Sequence, residues 1–241
     1  MMTDLQKIEQ EKSVLRWGGL AGILSGIMFI LVLILVTVII GDDPSDLTEW
    51  VIRFPSIKAT RVVENIIYLT ALILAIPLFL ALYWALKKAS LAPALFGSAL
   101  GMLGIVSMAV SATPHVAHTP LADLYYASGA TPADQAAIVL MWQATWGIFN
   151  AMLYVGFFVV PIGIIILGVA MLGAPAFGKG IGGVSVVLGG LGLVAAVLQM
   201  VDPASMVGVV SYFAIIIFCF VLGWKVYSLS RAPEGVLKIE E

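Results

Sequence analysis

Residues 17–41 read WGGLAGILSGIMFILVLILVTVIIG, twenty-five positions without an Asp, Glu, Lys or Arg. About 20 helical residues cross a hydrocarbon core about 30 Å thick, and a backbone in lipid must satisfy its own hydrogen bonds, so the stretch reads as a transmembrane helix. Lys7, Lys12 and Arg16 precede it, as in a secretory signal. A signal's apolar region runs only about 7–15 residues and ends at a small-residue cleavage site. The run to Ile40 is longer and predicts an uncleaved first span.

Charge-free stretches recur between Glu64 and Lys87, Asp134 and Lys179, Lys179 and Asp202, and Asp202 and Lys225. With the apolar run after Lys88 they predict an all-α polytopic membrane protein of six transmembrane helices, at 18–40, 65–86, 91–113, 147–172, 180–200 and 206–227. The composition agrees, with 61% hydrophobic and 11% charged residues. Residues 1–17 are read as a cytoplasmic N-terminal segment, 18–227 as one transmembrane domain and 228–241 as a cytoplasmic tail. The uncharged stretch 135–178 could hold two short spans, but it lacks a turn cluster where the chain would reverse. One helix is expected there, starting near Pro132 and bent near Gly147 or at Pro161.

Basic residues orient the spans. With both termini inside, Lys7, Lys12, Arg16, Lys87, Lys88, Lys179, Lys225, Arg231 and Lys238 are cytoplasmic, and only Arg53, Lys58 and Arg61 lie outside. The protein is therefore expected in the cell membrane with N-in, C-in topology. Its formal net charge of −2 and lack of a basic face argue against nucleic acid as a partner. Cys219, the one cysteine, excludes an intrachain disulfide.

Helices associate in lipid where small residues let backbones approach. Gly18, Gly22 and Gly26, then Gly97, Gly101 and Gly104, then Gly182 and Gly189 stripe the first, third and fifth spans, so these odd spans are expected inside the bundle with the even spans around them. Each outer loop also carries a similar punctuation, Asp43-Pro44-Ser45-Asp46, Thr131-Pro132-Ala133-Asp134 and Asp202-Pro203-Ala204-Ser205. Asp or Thr can cap free N–H groups and Pro suits the first helical turn, so all three read as helix starts. Convergent capping explains the recurrence more simply than a triplicated hairpin. After the first, Leu47, Trp50, Val51 and Phe54 follow i, i+3, i+4, i+7 spacing and predict a short interfacial helix in the first outer loop. Trp142, Trp146, Tyr125 and Tyr126 read as an interfacial aromatic belt.

Polar side chains at membrane depth are costly and mark functional candidates. They collect at the outer ends of the spans: Arg61, Glu64, Asn65 and Tyr68 on the second, His115 and His118 after the third, Gln143, Asn150 and Tyr154 on the fourth, Gln199 and Asp202 ending the fifth. The candidate ligand pocket is therefore Glu64, Asn65, Tyr68, Asn150, Tyr154, Gln199 and Asp202. His115 and His118 form a His-x-x-His pair that could ligate a metal ion with a carboxylate from Glu64, Asp123, Asp134 or Asp202. The pair lacks the Glu of the His-Glu-x-x-His motif, and Pro114 and Pro120 oppose a continuous helix there.

The Gly-rich opening Trp17-Gly18-Gly19-Leu20-Ala21-Gly22, the outer loop through Phe54-Pro55, the run Ala81-Leu82-Tyr83-Trp84-Ala85-Leu86 and the six-span layout give the chain a resemblance. It resembles a family of small bacterial and archaeal membrane proteins catalogued as a domain of unknown function, and that resemblance implies no activity or site residues. The expected function is non-catalytic binding of a lipid-like or hydrophobic small molecule, or of a membrane protein subunit, through the outer half, with membrane lipids as surroundings. The alternatives are a metal-dependent enzyme centred on His115 and His118 and a facilitative small-molecule transporter. Transport usually calls for an ionisable residue at mid-bilayer or for interrupted helices. Only Pro77 and Pro161, unaccompanied by charge, suggest either.

Overall fold

The computed structural model describes residues 4–41, 44, 46–203 and 205–232, with the side chains of Asp4, Leu5 and Lys7 left aside. It is all-helical over those residues: α1 (Asp4–Ile34, continued by a π-helical turn over Leu35–Ile40), α2 (Leu47–Leu86), α3 (Leu91–Ser111), α4 (Thr113–Tyr125), α5 (Pro132–Leu172), α6 (Gly178–Val201) and α7 (Gly208–Ser230). Six stretches are long and apolar enough to cross a membrane, with α3 and α4 together forming the third.

The predicted spans fall within these helices apart from Ala112 in the third and the first two residues of the last, and several of the helices extend well beyond them. α1 begins at Asp4, so residues 4–17 are helical and continuous with the first apolar stretch. The amphipathic stretch 47–54 is not an independent interfacial helix either. It forms the first turns of the 40-residue α2, which continues through Pro55. Pro55 lies inside the helix, where it forfeits a single backbone bond, and packing of Val51 and Phe54 holds the segment in line.

α2 and α5 are about 60 Å long at 1.5 Å per residue, about twice what a bilayer core requires. Their N-terminal portions pack with α4 at one end of the bundle, burying Val51, Phe54, Leu121, Ala122, Tyr125, Ile138 and Trp142 in a second apolar cluster. α4 forms despite Pro114 and Pro120 because Pro114 falls in its first turn, where the N–H would lack a partner anyway.

The main core reverses the expected arrangement of odd and even spans. The inner helices are α2, α5 and α7, which contact one another; α1 lies between α2 and α7, α3 between α2 and α5, and α6 between α5 and α7. Core filling needs bulk, and the inner helices supply Leu72, Leu78, Phe79 and Leu82, Val160, Ile164 and Leu167, and Phe218 and Leu222. Phe79 and Phe218 stack at 5.7 Å. The glycine stripes on the outer helices mark where each meets an inner backbone. A Cβ on Gly19 would lie 2.5 Å from the Tyr227 nitrogen, and one on Gly163 would lie 2.6 Å from that of Gly101. Close approach identifies a neighbour and does not identify the centre. Hydroxyls add ties between helices, with Ser25 donating to the Ala71 carbonyl at 2.8 Å and Tyr212 to that of Phe29 at 2.9 Å.

The three loop punctuations differ in structure. Thr131 and Asp134 close a reciprocal capping box with Pro132 in the first turn of α5. Asp46 alone caps α2, accepting from the Thr48 N–H at 2.9 Å. The third motif does not cap α7, whose N-cap is Val207. Asp42, Asp43, Ser45 and Ala204 lie outside the described residues, as does Lys238. At the end of α1, Gly41 takes φ 71°, and the Arg53 guanidinium donates to the Ile40 carbonyl. This satisfies a carbonyl that a helix end otherwise leaves open.

Candidate functional site

Two cavities adjoin at the α4 end of the bundle. The larger, about 500 Å³, lies among α2, α4 and α5 and is lined by Trp50, Arg53, Phe54, Ile57, Arg61, Asn65, His115, His118, Thr119, Trp142 and Trp146, among others. The smaller, about 250 Å³, is lined by Val32, Leu33, Val36, Glu64, Tyr68, Phe149, Leu153, Phe157 and Tyr212, again with Arg61, Asn65, His115 and Trp146. The four shared residues form the partition.

Helical spacing builds these walls. Arg61, Glu64 and Tyr68 stand at i, i+3, i+7 on α2. Trp142, Thr145, Trp146 and Phe149 stand at i, i+3, i+4, i+7 on α5, and His115 and His118 stand one turn apart on α4. The aromatic rings form a continuous array. Trp50 meets Trp146 at 4.8 Å, Trp146 stacks on Phe149 at 4.9 Å, and Phe149 lies 4.5 Å from His115. His115 and His118 are 5.5 Å apart, His118 stacks on Trp142 at 4.0 Å and 8°, and Phe54 meets Trp142 edge-on at 5.0 Å. Such packing fixes ring planes and leaves a rigid, mostly apolar lining.

Arg61 in the partition pairs with Glu64 in the wall of the smaller cavity, 3.8 Å away, and their side chains are only 11% and 8% exposed. Desolvating two charges offsets most of their attraction, so such a pair is weakly justified by stability and marks a candidate functional position. Three uncharged polar atoms in the walls are buried without a hydrogen-bonding partner: Trp142 Nε1, His115 Nε2 and the Tyr68 hydroxyl. Tyr68 lies near Ser111, whose own hydroxyl donates to the Met108 carbonyl at 2.6 Å.

The histidines are differently committed. Thr145 donates its hydroxyl proton to the Trp142 carbonyl at 2.8 Å, so at 3.1 Å its oxygen is left to accept from His118 Nε2. That assigns the His118 proton to Nε2 and leaves Nδ1 as the acceptor. The carboxylates considered as further metal ligands are dispersed. Asp123 pairs with Lys58 at 3.4 Å, Asp134 closes the α5 cap, Glu64 faces Arg61, and Asp202 is exposed at the end of α6. Among the described residues no group of three or more His, Cys, Asp or Glu is placed to hold a metal ion.

Of the sequence-derived pocket, Glu64, Asn65 and Tyr68 line the cavities together with His115 and His118. Asn150, Tyr154, Gln199 and Asp202 do not line them. Tyr154 meets Gln199 across α5 and α6, and Gln199 packs closely against Gly208 at the start of α7. Asn150 is one residue beyond Phe149, about 100° around a helix of 3.6 residues per turn, and so leaves the lining face. The aromatic walls of Trp50, Trp142, Trp146 and Phe149, with Arg53 and Tyr212, were missed as site residues. The spacing along α5 was legible, but an aromatic belt accounts for the same residues.

Fold and site together define a helical protein with six stretches long and apolar enough to span a membrane and with a two-chambered, aromatic-lined cavity at one end. Comparison with protein-family models, with curated proteins and with solved structures found no match to this chain.

Proposed function

We propose that this protein binds a hydrophobic or lipid-like small molecule, without catalysis, in the paired chambers at its α4 end. The observation that carries the reading is the pair of adjoining cavities, about 500 and 250 Å³, walled by aromatic and aliphatic side chains and joined at Arg61, Asn65, His115 and Trp146. Small-molecule sites are concave, largely apolar and supplied with a few convergent polar groups. The metal-enzyme alternative lacks a third ligand among the described residues. The transporter alternative loses the two prolines that suggested it, since α2 and α5 continue through Pro77 and Pro161.

The neutral fluorophore N-phenyl-1-naphthylamine tests this reading. With Trp17, Trp84 and Trp224 changed to Phe, the remaining tryptophans are Trp50, Trp142 and Trp146, all in the chamber walls. Energy transfer from them to the probe is expected to saturate at about one probe per chain. Transfer that rises linearly with probe partitioning into the detergent or bilayer would refute the reading.

The proposed topology places both termini in the cytoplasm and the chambers near the outer leaflet, supported by nine of twelve basic residues on one side. Cys219 is buried, so introduced cysteines can be read against a low background. A cysteine at position 128 is expected to react with an impermeant maleimide from outside, and one at position 236 only after permeabilisation. The opposite pattern overturns the orientation.

A further inference from the structure

We propose that the chambers take up an uncharged long-chain lipid whose head, an ester or a ketone, presents a carbonyl oxygen to the indole N–H of Trp142, with the hydrocarbon chain directed past the partition into the smaller chamber. The inference rests on the hydrophobic-ligand reading above and specifies the ligand's head group.

An unpaired donor carries the inference. Trp142 is 1% exposed, lines the larger chamber, and its Nε1 has no hydrogen-bonding partner. Stacking on His118 at 4.0 Å and edge-on contact with Phe54 at 5.0 Å hold its ring in the wall. Indole N–H can only donate, and a buried donor left unpaired is unfavourable, so an oxygen acceptor is the kind of atom it lacks. His115 Nε2, in the same wall, is a second buried nitrogen without a partner, and it donates when the ring proton sits there. A carbonyl oxygen accepts two hydrogen bonds and brings no proton that needs an acceptor of its own, so it answers either nitrogen without creating a new demand. Both nitrogens are covered in this structure, and the head therefore seats with a side-chain adjustment in the wall, of a kind common on binding.

Charge points to a neutral head. Arg53 donates to the Ile40 carbonyl, Arg61 faces Glu64, and all three of these side chains are engaged further within the protein. A charged head would leave water for a largely apolar enclosure whose ionic groups are already committed, a cost that an ester or ketone avoids. Beyond the partition, Val32, Leu33, Leu153 and Phe157 supply an aliphatic and aromatic lining suited to a hydrocarbon chain.

The test uses methyl 9,10-dibromostearate, 9,10-dibromooctadecane and 9,10-dibromostearic acid, whose bromines quench tryptophan at near-contact range, on reconstituted protein whose remaining tryptophans are Trp50, Trp142 and Trp146. Referred to probe in the bilayer, the ester is expected to quench saturably with about tenfold lower half-saturation than the hydrocarbon, the size of effect expected for pairing a buried donor. The acid at pH 9 is expected to half-saturate no lower than the ester. Trp142→Phe keeps an aromatic ring and removes the N–H; read from Trp50 and Trp146, it is expected to reduce the preference for ester over hydrocarbon to about twofold or less. In the protein that keeps Trp142, methyl stearate is expected to move that residue's indole N–H proton resonance downfield, and octadecane is not. Equal quenching by ester and hydrocarbon overturns the carbonyl proposal while leaving hydrophobic binding intact, and tighter binding of the acid at pH 9 overturns the uncharged head. A full preference retained in Trp142→Phe, or an indole resonance that methyl stearate leaves in place, removes Trp142 from the recognition and overturns the proposed seating. Absence of saturable quenching by every probe, together with unsaturable naphthylamine transfer, refutes the binding site itself.

Discussion

Gly163→Ala is expected to lower the melting temperature of the solubilised protein by about 10 °C, whereas Gly183→Ala leaves it unchanged or raises it slightly. A Cβ on Gly163 would lie 2.6 Å from the Gly101 nitrogen and 2.7 Å from the Gly97 carbonyl oxygen, while one on Gly183 meets nothing within 4 Å. The obstructing atoms are backbone in a regular helix, so no rotamer change relieves the contact and α3 must move away from α5. Overpacking of this kind costs about 3 kcal/mol, which corresponds to about 10 °C for a chain of this size. At Gly183 only the helix propensity changes, in alanine's favour by up to about 1 kcal/mol. Leu31→Ala makes a second control, because Leu31 is 40% exposed and lipid replaces much of what it loses. Similar melting of the two glycine variants would show that α3 and α5 are not in backbone contact. The same logic applies at Gly101, where an added Cβ would clash with the ring of Phe79. A ring can shift, so Gly101→Ala is expected to cost less than Gly163→Ala.

Trp146→Ala is expected to weaken N-phenyl-1-naphthylamine binding by about thirtyfold, read from direct excitation of the probe so that loss of an energy donor does not enter. Trp146 lines both chambers and packs against Trp50 at 4.8 Å and Phe149 at 4.9 Å. Its removal merges the two cavities and releases the neighbouring rings. Losing a central aromatic anchor typically costs about 2 kcal/mol or more, which is about thirtyfold in affinity. Trp224→Ala supplies the comparison, because Trp224 is an exposed tryptophan outside both chambers. If the two variants bind the probe equally well, the chambers are not where it binds.

Much of the candidate site was readable in the chain. A buried Arg61-Glu64-Tyr68 ladder and a His115-x-x-His118 pair are conspicuous because polar groups in an apolar helix demand partners. Their convergence was not readable. Asn150, Tyr154 and Gln199 looked equivalent to Asn65 by composition and depth, yet a rotation of about 100° per residue turns Asn150 off the face that Trp146 and Phe149 present. The tryptophans were misjudged for the complementary reason. A ring placed near the end of a span suits the membrane interface as well as it suits a cavity wall, and only the packing of α4 against α2 and α5 distinguishes these roles.

The sequence by itself determined that six stretches are long and apolar enough to cross a membrane, because the length of an uncharged run measured against bilayer thickness is a property of one segment at a time. It also located close backbone contacts, since glycine at Gly18, Gly97 or Gly182 leaves room on its own helix. Tertiary structure decided which helices are central, whether residues 47–54 stand alone or extend α2, and which polar side chains share a cavity. Each depends on the relative rotation of two or more helices. Without a hydrophobic drive between helices in lipid, that rotation is set by the fit of side chains from several segments, which no single segment encodes.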